Sequence, residues 1–493
     1  MENYSLRLIK THFEKADSVP LTYNYTKIKG AFRVNESKYG PWKRAVAGLL
    51  SVTILSTVLF TQTNAISVYV SALAEGGDPL SRIYSLLQDE ISDPQSYEDY
   101  YQLASIAIGK GEYDTALGHL EQCMTLAADD AARADLCLKK ASIHILRNDA
   151  ESALSALSSV LEYDPSSTQA LLLRAQVRLD REEYTEAAAD LESYLKLVPD
   201  DTGTRSSLAL IYERLERFED AAACYDAMYA LTPEDDSARL NALRSLFLAG
   251  DYEKALNGFD TYLAEKRSAT PTEAGETVPA KDELLATACF LKAACLMQLA
   301  RYDEATAAYA EAITAGYDEA LCLEQMVTCQ YASEDYQGAI DNGEKLLLLE
   351  SAPVAEDVLY QRMGVAAMSL EQYDKAIDYL TKSIERNPGL TGNHYYRGVS
   401  LLAQQQYQEA VEDFTLSIEE GFLTQYCYYN RGVCYVQLLD YESVLSDMEM
   451  TLTSGDEQSL KEAATDILWQ LAQYYENQKA ISPADIDAEG ISE

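Results

Sequence analysis

Residues 357–390 read DVLYQRMGVAAMSLEQYDKAIDYLTKSIERNPGL, and within them apolar side chains recur at helical spacing twice. The first series is Tyr360, Met363, Gly364 and Ala367; the second is Tyr373, Ala376, Ile377 and Leu380. Pro388 then stands where a helix can no longer continue. The stretch predicts two antiparallel helices and a stop.

The same pattern returns along the chain. Ala116, Ala153, Ala187, Ala221, Ala255, Ala305, Ala339, Ala376 and Ala410, with Val444 as the tenth member, occupy one position of an internal repeat, and six of the nine intervals between them are 34 residues. An aromatic residue stands three places earlier in nine cases, among them Tyr113, Tyr184, Phe218, Tyr302 and Tyr441. A second small residue recurs in the first helix: Ala104, Ala141, Ala175, Ala209, Ala293, Gly364, Gly398 and Gly432. Small side chains at both places predict a close helix crossing inside each unit. Pro165, Pro199, Pro233 and Pro388 share one position and end their units.

In these residues the chain resembles the tetratricopeptide repeat family: small at the eighth position, aromatic at the seventeenth, alanine at the twentieth, bulky and apolar at the twenty-fourth, proline at the thirty-second. Ten units follow, starting at Tyr97, Ala134, Thr168, Thr202, Asp236, Ala286, Ala320, Asp357, Thr391 and Gln425. They span about 70% of the chain under that period. The unit at Ala320 departs from the pattern with Val327 and Gly343. The resemblance implies an all-α fold, a right-handed α-solenoid of helix-turn-helix units whose concave face binds peptides or protein segments; with the uncharged segment described below, the expectation is a membrane-anchored member of bacterial type. In the family that face is formed by the second, fifth, ninth, twelfth and thirteenth positions. Some members clamp a terminal carboxylate there with lysine and asparagine. This chain has no lysine at its second or fifth positions, and valine at the ninth in its last three units (Val365, Val399, Val433), so that mode is not expected. The late units instead offer Gln361, Tyr395 and Tyr429 at the fifth position with Tyr426 beside them, and these four are the candidate groove residues.

Three units pair an arginine at the seventh position with an aspartate at the twenty-third: Arg174 with Asp190, Arg397 with Asp413, Arg431 with Asp447. A helical hairpin would bring each pair together as a charge-assisted strut.

Charge is distributed unevenly. The chain carries −41, yet residues 1–70 hold nine Lys/Arg against four acids, a net of +5, which leaves −46 for the remainder. Such a surface disfavours nucleic acid, which needs a basic face. Residues 45–74 carry no charge, and Lys43 and Arg44 precede them. The length suffices to cross a bilayer, and the positive-inside rule predicts a cytoplasmic N-terminus with the repeats extracytoplasmic. Cleavage at Ala72-Leu73-Ala74 or after Ala65 would instead release a secreted protein, and a buried core helix is the third reading.

The expected organisation is a basic tail at 1–44, a transmembrane anchor or signal at 45–70, a linker and capping helix at 75–96, and repeats at 97–266. A loop or hinge at 267–281 (RSATPTEAGETVPA within it) then separates repeats at 286–458, a capping helix at 459–479 and an acidic, disordered tail at 480–493. Nine cysteines fall where helices pack: Cys295, Cys329 and Cys434 at the tenth position, Cys137 and Cys289 at the fourth. No CxxC occurs, so small core residues are expected rather than a metal centre or a disulfide. No phosphate loop, dinucleotide fingerprint or nucleophile elbow is found, and neither an enzyme nor a cofactor is expected. The reading is a scaffold for a protein or peptide partner; a transmembrane signalling component with a cytoplasmic docking tail and a secreted binder are the alternatives.

Overall fold

Ser96, Asp129, Ser167, Asp201, Asp235, Asp282 and Asp318 each accept a hydrogen bond from the backbone N–H three residues on, and each starts the first helix of a repeat. Such caps satisfy donors that the helix itself leaves open. The structure, a computed structural model, describes residues 93–269, 282–349 and 355–480 together with Gln88 and Ile91. Among the described residues there are 21 helices and no strand.

They run α1 (Tyr97–Lys110), α2 (Tyr113–Leu126), α3 (Asp130–Leu146), α4 (Ala150–Tyr163), α5 (Thr168–Asp180), α6 (Tyr184–Leu197), α7 (Thr202–Arg214), α8 (Phe218–Leu231), α9 (Asp236–Leu248) and α10 (Tyr252–Ala269). Then come α11 (Glu283–Gln298), α12 (Tyr302–Ala315), α13 (Glu319–Ala332), α14 (Tyr336–Leu347), α15 (Glu356–Ser369), α16 (Tyr373–Arg386), α17 (Asn393–Ala403), α18 (Tyr407–Glu419), α19 (Thr424–Gln437), α20 (Tyr441–Thr453) and α21 (Gln458–Ala480). Nine second helices begin on the aromatic of the seventeenth position; α4 begins on Ala150. Pro165, Pro199, Pro233 and Pro388 each lie two residues beyond the end of one.

The turn inside every unit is made by one residue in the left-handed region. Asn148, Glu182, Glu216, Ala300, Glu334, Glu371, Gln405 and Leu439 have φ between 56° and 62°, and Gly111 and Gly250 fill the same fifteenth position. Only two of ten are glycine. The other eight carry a Cβ in a conformation that L-residues disfavour, held there by the helices on either side.

The recurring alanines are buried: Ala116, Ala153, Ala187, Ala221, Ala255, Ala305, Ala376 and Ala410 are 0% exposed, as is Val444. Glycine at the eighth position makes room for the bulky twenty-fourth: a Cβ on Gly364 would lie 2.6 Å from Leu380 Cγ, and one on Gly398 3.0 Å from the Phe414 ring. The departing unit is packed by another route. Val327 is buried, and the space above Gly343 is taken by Met363 and Leu359 of the following first helix.

Contacts divide the chain into two compact units, one ending at Ala249 and the other starting at Gly250. The first holds four hairpins and the first helix of the fifth; the second holds α10, five hairpins and α21. This division falls within the fifth repeat; α10 extends to Ala269 and packs on α11. Lys292 Nζ meets Asp260 Oδ1 at 2.8 Å across that contact.

No helix among the described residues is long and apolar enough to cross a membrane. The expected span at 45–70 lies outside the described residues, as do the tail at 1–44, most of 75–96, residues 270–281 and residues 481–493.

Candidate partner-binding surface

The struts read from the sequence are present, and each has a third member. Arg397 donates to Asp413 through Nε (2.8 Å) and Nη2 (2.8 Å), and through Nη1 to Thr381 Oγ1 (3.1 Å) on the preceding α16. Arg431 repeats this with Asp447 (2.9 and 2.8 Å) and Thr415 (2.8 Å); Arg174 does so with Asp190 and with Ser158 (3.1 Å). Asp190 also takes a bond from Arg178 Nη1 at 2.5 Å. In each case the hydroxyl comes from the twenty-fifth position of the preceding unit. Units with lysine at the seventh position use an acid there instead, Lys140 with Glu121 at 3.6 Å and Lys292 with Asp260. Each of the three arginines therefore fastens its own hairpin and the hairpin before it. Sequence pairing found the aspartate; the hydroxyl was missed because Ser and Thr at that spacing are too common to stand out.

The inner row of first helices is stitched in a similar way. Tyr101 donates to Asp135 (3.2 Å) with Lys139 Nζ 5.1 Å from its ring centroid, Arg244 Nη2 donates to Glu213 (2.6 Å), and Arg362 Nη1 donates to Thr328 Oγ1 (2.8 Å). Charge-assisted members of this set hold neighbouring helices at fixed spacing. Between these ties, Leu138 and Leu172 are half-buried at the fifth position and Leu210 at the ninth is exposed.

The four candidate groove residues are largely covered. Tyr395 is 3% exposed, Tyr426 8% and Tyr429 6%. Tyr395 sits in an aromatic cluster, its ring centroid 5.4 Å from Tyr396, 5.8 Å from Phe422 and 6.3 Å from Phe414. Burial raises its hydroxyl well above the usual phenol range, and burial with Glu457 nearby pushes Tyr426 up to about 12. Gln361 is half-buried and donates to the carbonyl of Thr391 at 3.0 Å. The reason is stacking: α15, α17, α19 and α21 touch one another in succession, so each first helix covers much of the row before it. These side chains serve packing more than they present a surface.

All nine cysteines are free and buried, and burial pushes the thiols of Cys295, Cys329, Cys427 and Cys434 up to about 12. Among the described residues no group of three or more His, Cys, Asp or Glu side chains is gathered to hold a metal. A shallow apolar groove opens between the last hairpin and α21, lined by Val436, Tyr441, Val444, Ile467, Leu471 and Tyr474.

Tetratricopeptide-repeat family models match residues 100–134, 138–202, 207–270, 286–315 and 358–389. With the hairpin geometry above, the described residues form an all-α tetratricopeptide-repeat solenoid. The matches pass over the unit at Ala320 and the last two units, which have the same hairpins and the same left-handed turn. Similar solved structures include a tetratricopeptide repeat protein from Parabacteroides merdae, 17% identical, covering 55% of this chain and 99% of that one with a TM-score of 0.28. Another is YrrB, described as a TPR protein with an unusual peptide-binding site, 22% identical, covering 42% and 97% with a TM-score of 0.34. A third is the C-terminal part of a TPR repeat-containing protein from Cytophaga hutchinsonii, 14% identical, covering 51% and 97% with a TM-score of 0.39. At these scores the likenesses carry nothing about what this chain binds. No curated protein matches the sequence.

Proposed function

We propose that the array is a non-catalytic scaffold that binds a peptide or protein segment along the inner row of its first helices. The observation that carries this reading is the contrast within that row: many of its polar groups are bonded from repeat to repeat, while Leu210 is left 37% exposed and Leu138 and Leu172 are only half-buried. Fixed spacing with open apolar side chains suits an extended or helical guest. A photocrosslinking residue at Leu210 should capture a partner, and one at the exposed Glu219 of α8 should not; equal capture at both would sink the reading.

The scaffold is tethered by residues 45–70 and works on the extracytoplasmic side of a bacterial membrane. Support comes from the uncharged stretch 45–74, from Lys43 and Arg44 before it, and from the change of charge across it. Protease added to intact spheroplasts should digest the repeats; full protection would reverse the topology. N-terminal sequencing of the mature chain separates the tether from a cleaved signal.

A further inference from the structure

The register of α21 is fixed by what it buries. Leu460 (1% exposed), Ala464 (0%) and Ile467 (8%) repeat the spacing of Asn393, Arg397 and Ser400 in α17 and of Cys427, Arg431 and Cys434 in α19. Those are the residues that face the preceding second helix: Asn393 donates to Ser383 Oγ, Arg397 to Thr381, Cys427 to Ser417 and Arg431 to Thr415. Two residues further along in each helix lies the inner row, Tyr395, Val399 and Leu402 in α17, then Tyr429, Val433 and Val436 in α19. In α21 that row is Glu462, Asp466 and Trp469. The chemistry of the row changes at its last member.

In α17 and α19 the next first helix covers the row, and among the described residues no first helix follows α21. Glu462 and Asp466 are accordingly exposed, and Trp469 is 66% exposed. The three stand at i, i+4 and i+7 on one face, with two carboxylates within two turns of an indole. An indole face attracts a guanidinium or ammonium group more strongly than any other side chain, and flanking carboxylates complete the charge match.

We propose that Trp469, Asp466 and Glu462 dock a cationic segment of a protein partner, with an arginine or lysine over the indole. A second copy of the chain is a poor occupant, because it would set Glu462 and Asp466 against their equals in a protein of net charge −41. The proposal rests on the reading of the inner row as a docking surface and gives its C-terminal end a partner chemistry.

The test uses the full chain in non-ionic detergent with Trp42→Phe, which leaves Trp469 as the one tryptophan of the two in the sequence. The probe is a fluorescein-labelled peptide of alternating arginine and leucine, with a glutamate–leucine peptide as control. The arginine peptide should shift Trp469 emission and bind with an affinity that falls at least about tenfold in Trp469→Ala and in the Glu462→Lys, Asp466→Lys double variant. These positions are exposed, so the variants keep their fold. Unchanged affinity in both variants overturns the proposal, and so does dimerisation on sedimentation that Trp469→Ala abolishes. Leu210→Glu lies in the other compact unit and should leave this binding intact. Loss of crosslinking at Leu210 alone would therefore count against the inner-row reading and not against the α21 site.

Discussion

Arg397 and Asp413 meet through two bonds of 2.8 Å, sixteen residues apart in sequence, and Asp413 is 2% exposed. The pair joins α17 to α18, and His394 Nδ1 lies 3.0 Å from the same carboxylate. Removing one partner of so buried a pair strands the other charge. Asp413→Ala should destabilise by about 3–5 kcal/mol, and Thr381→Val, which removes only the link to the preceding hairpin, by about 1 kcal/mol. Urea unfolding followed by circular dichroism reads both, and a loss below about 1 kcal/mol for Asp413→Ala would contradict the strut.

The left-handed turns predict stabilisation from an unusual substitution. Ala300 has φ 56° and Leu439 φ 60°, where glycine is free of the Cβ conflict. Ala300→Gly should gain about 0.5–1 kcal/mol despite the greater freedom of the unfolded glycine, and Gly111→Ala should lose about 1 kcal/mol. Opposite shifts in melting temperature are the expected signature.

Helix crossing at Gly364 predicts a coupled pair. A Cβ there would lie 2.6 Å from Leu380 Cγ and 3.3 Å from the Leu380 backbone nitrogen. Gly364→Ala should cost about 1–3 kcal/mol through overpacking. In a double-mutant cycle Leu380→Ala should cost less on the Gly364→Ala background than alone, since the new methyl fills part of the space it leaves; strict additivity would show the two are not in contact.

The thiols predict chemistry and pH dependence together. Burial holds Cys295, Cys329, Cys427 and Cys434 at about 12, above the ordinary value of 9.0. None of the nine should react with a chromogenic disulfide at pH 8 until urea is added. A raised folded value means that the unfolded chain loses these protons first. The contribution to stability is therefore complete below about 9 and is lost as pH rises from there toward about 12. Unfolding midpoints measured between pH 7 and pH 11 should fall only in the upper half of that range.

Much of this molecule is local information repeated ten times. The hairpins, the small residues at each crossing and the Arg–Asp pairs all follow from residue type at fixed spacing, because a helix converts sequence separation directly into a shared face. Glu182 and Leu439 gave no sign of a left-handed turn, since neither residue favours it and only the two flanking helices impose it. The burial of the candidate groove residues was hidden for a different reason. Position in the repeat says which side of a helix a residue occupies, but not how closely the next hairpin will lie over it.

The amino-acid order therefore determined the repeat, its period, its internal packing rules and the lopsided charge, all of which depend on neighbours within a few turns. Tertiary structure alone decided that Tyr395, Tyr426 and Tyr429 are covered while Leu210 and Trp469 stand open, that Met363 fills the space at Gly343, and that compactness divides at Gly250. Exposure is set by the stacking of one unit on the next, a relation between distant segments that no single period contains.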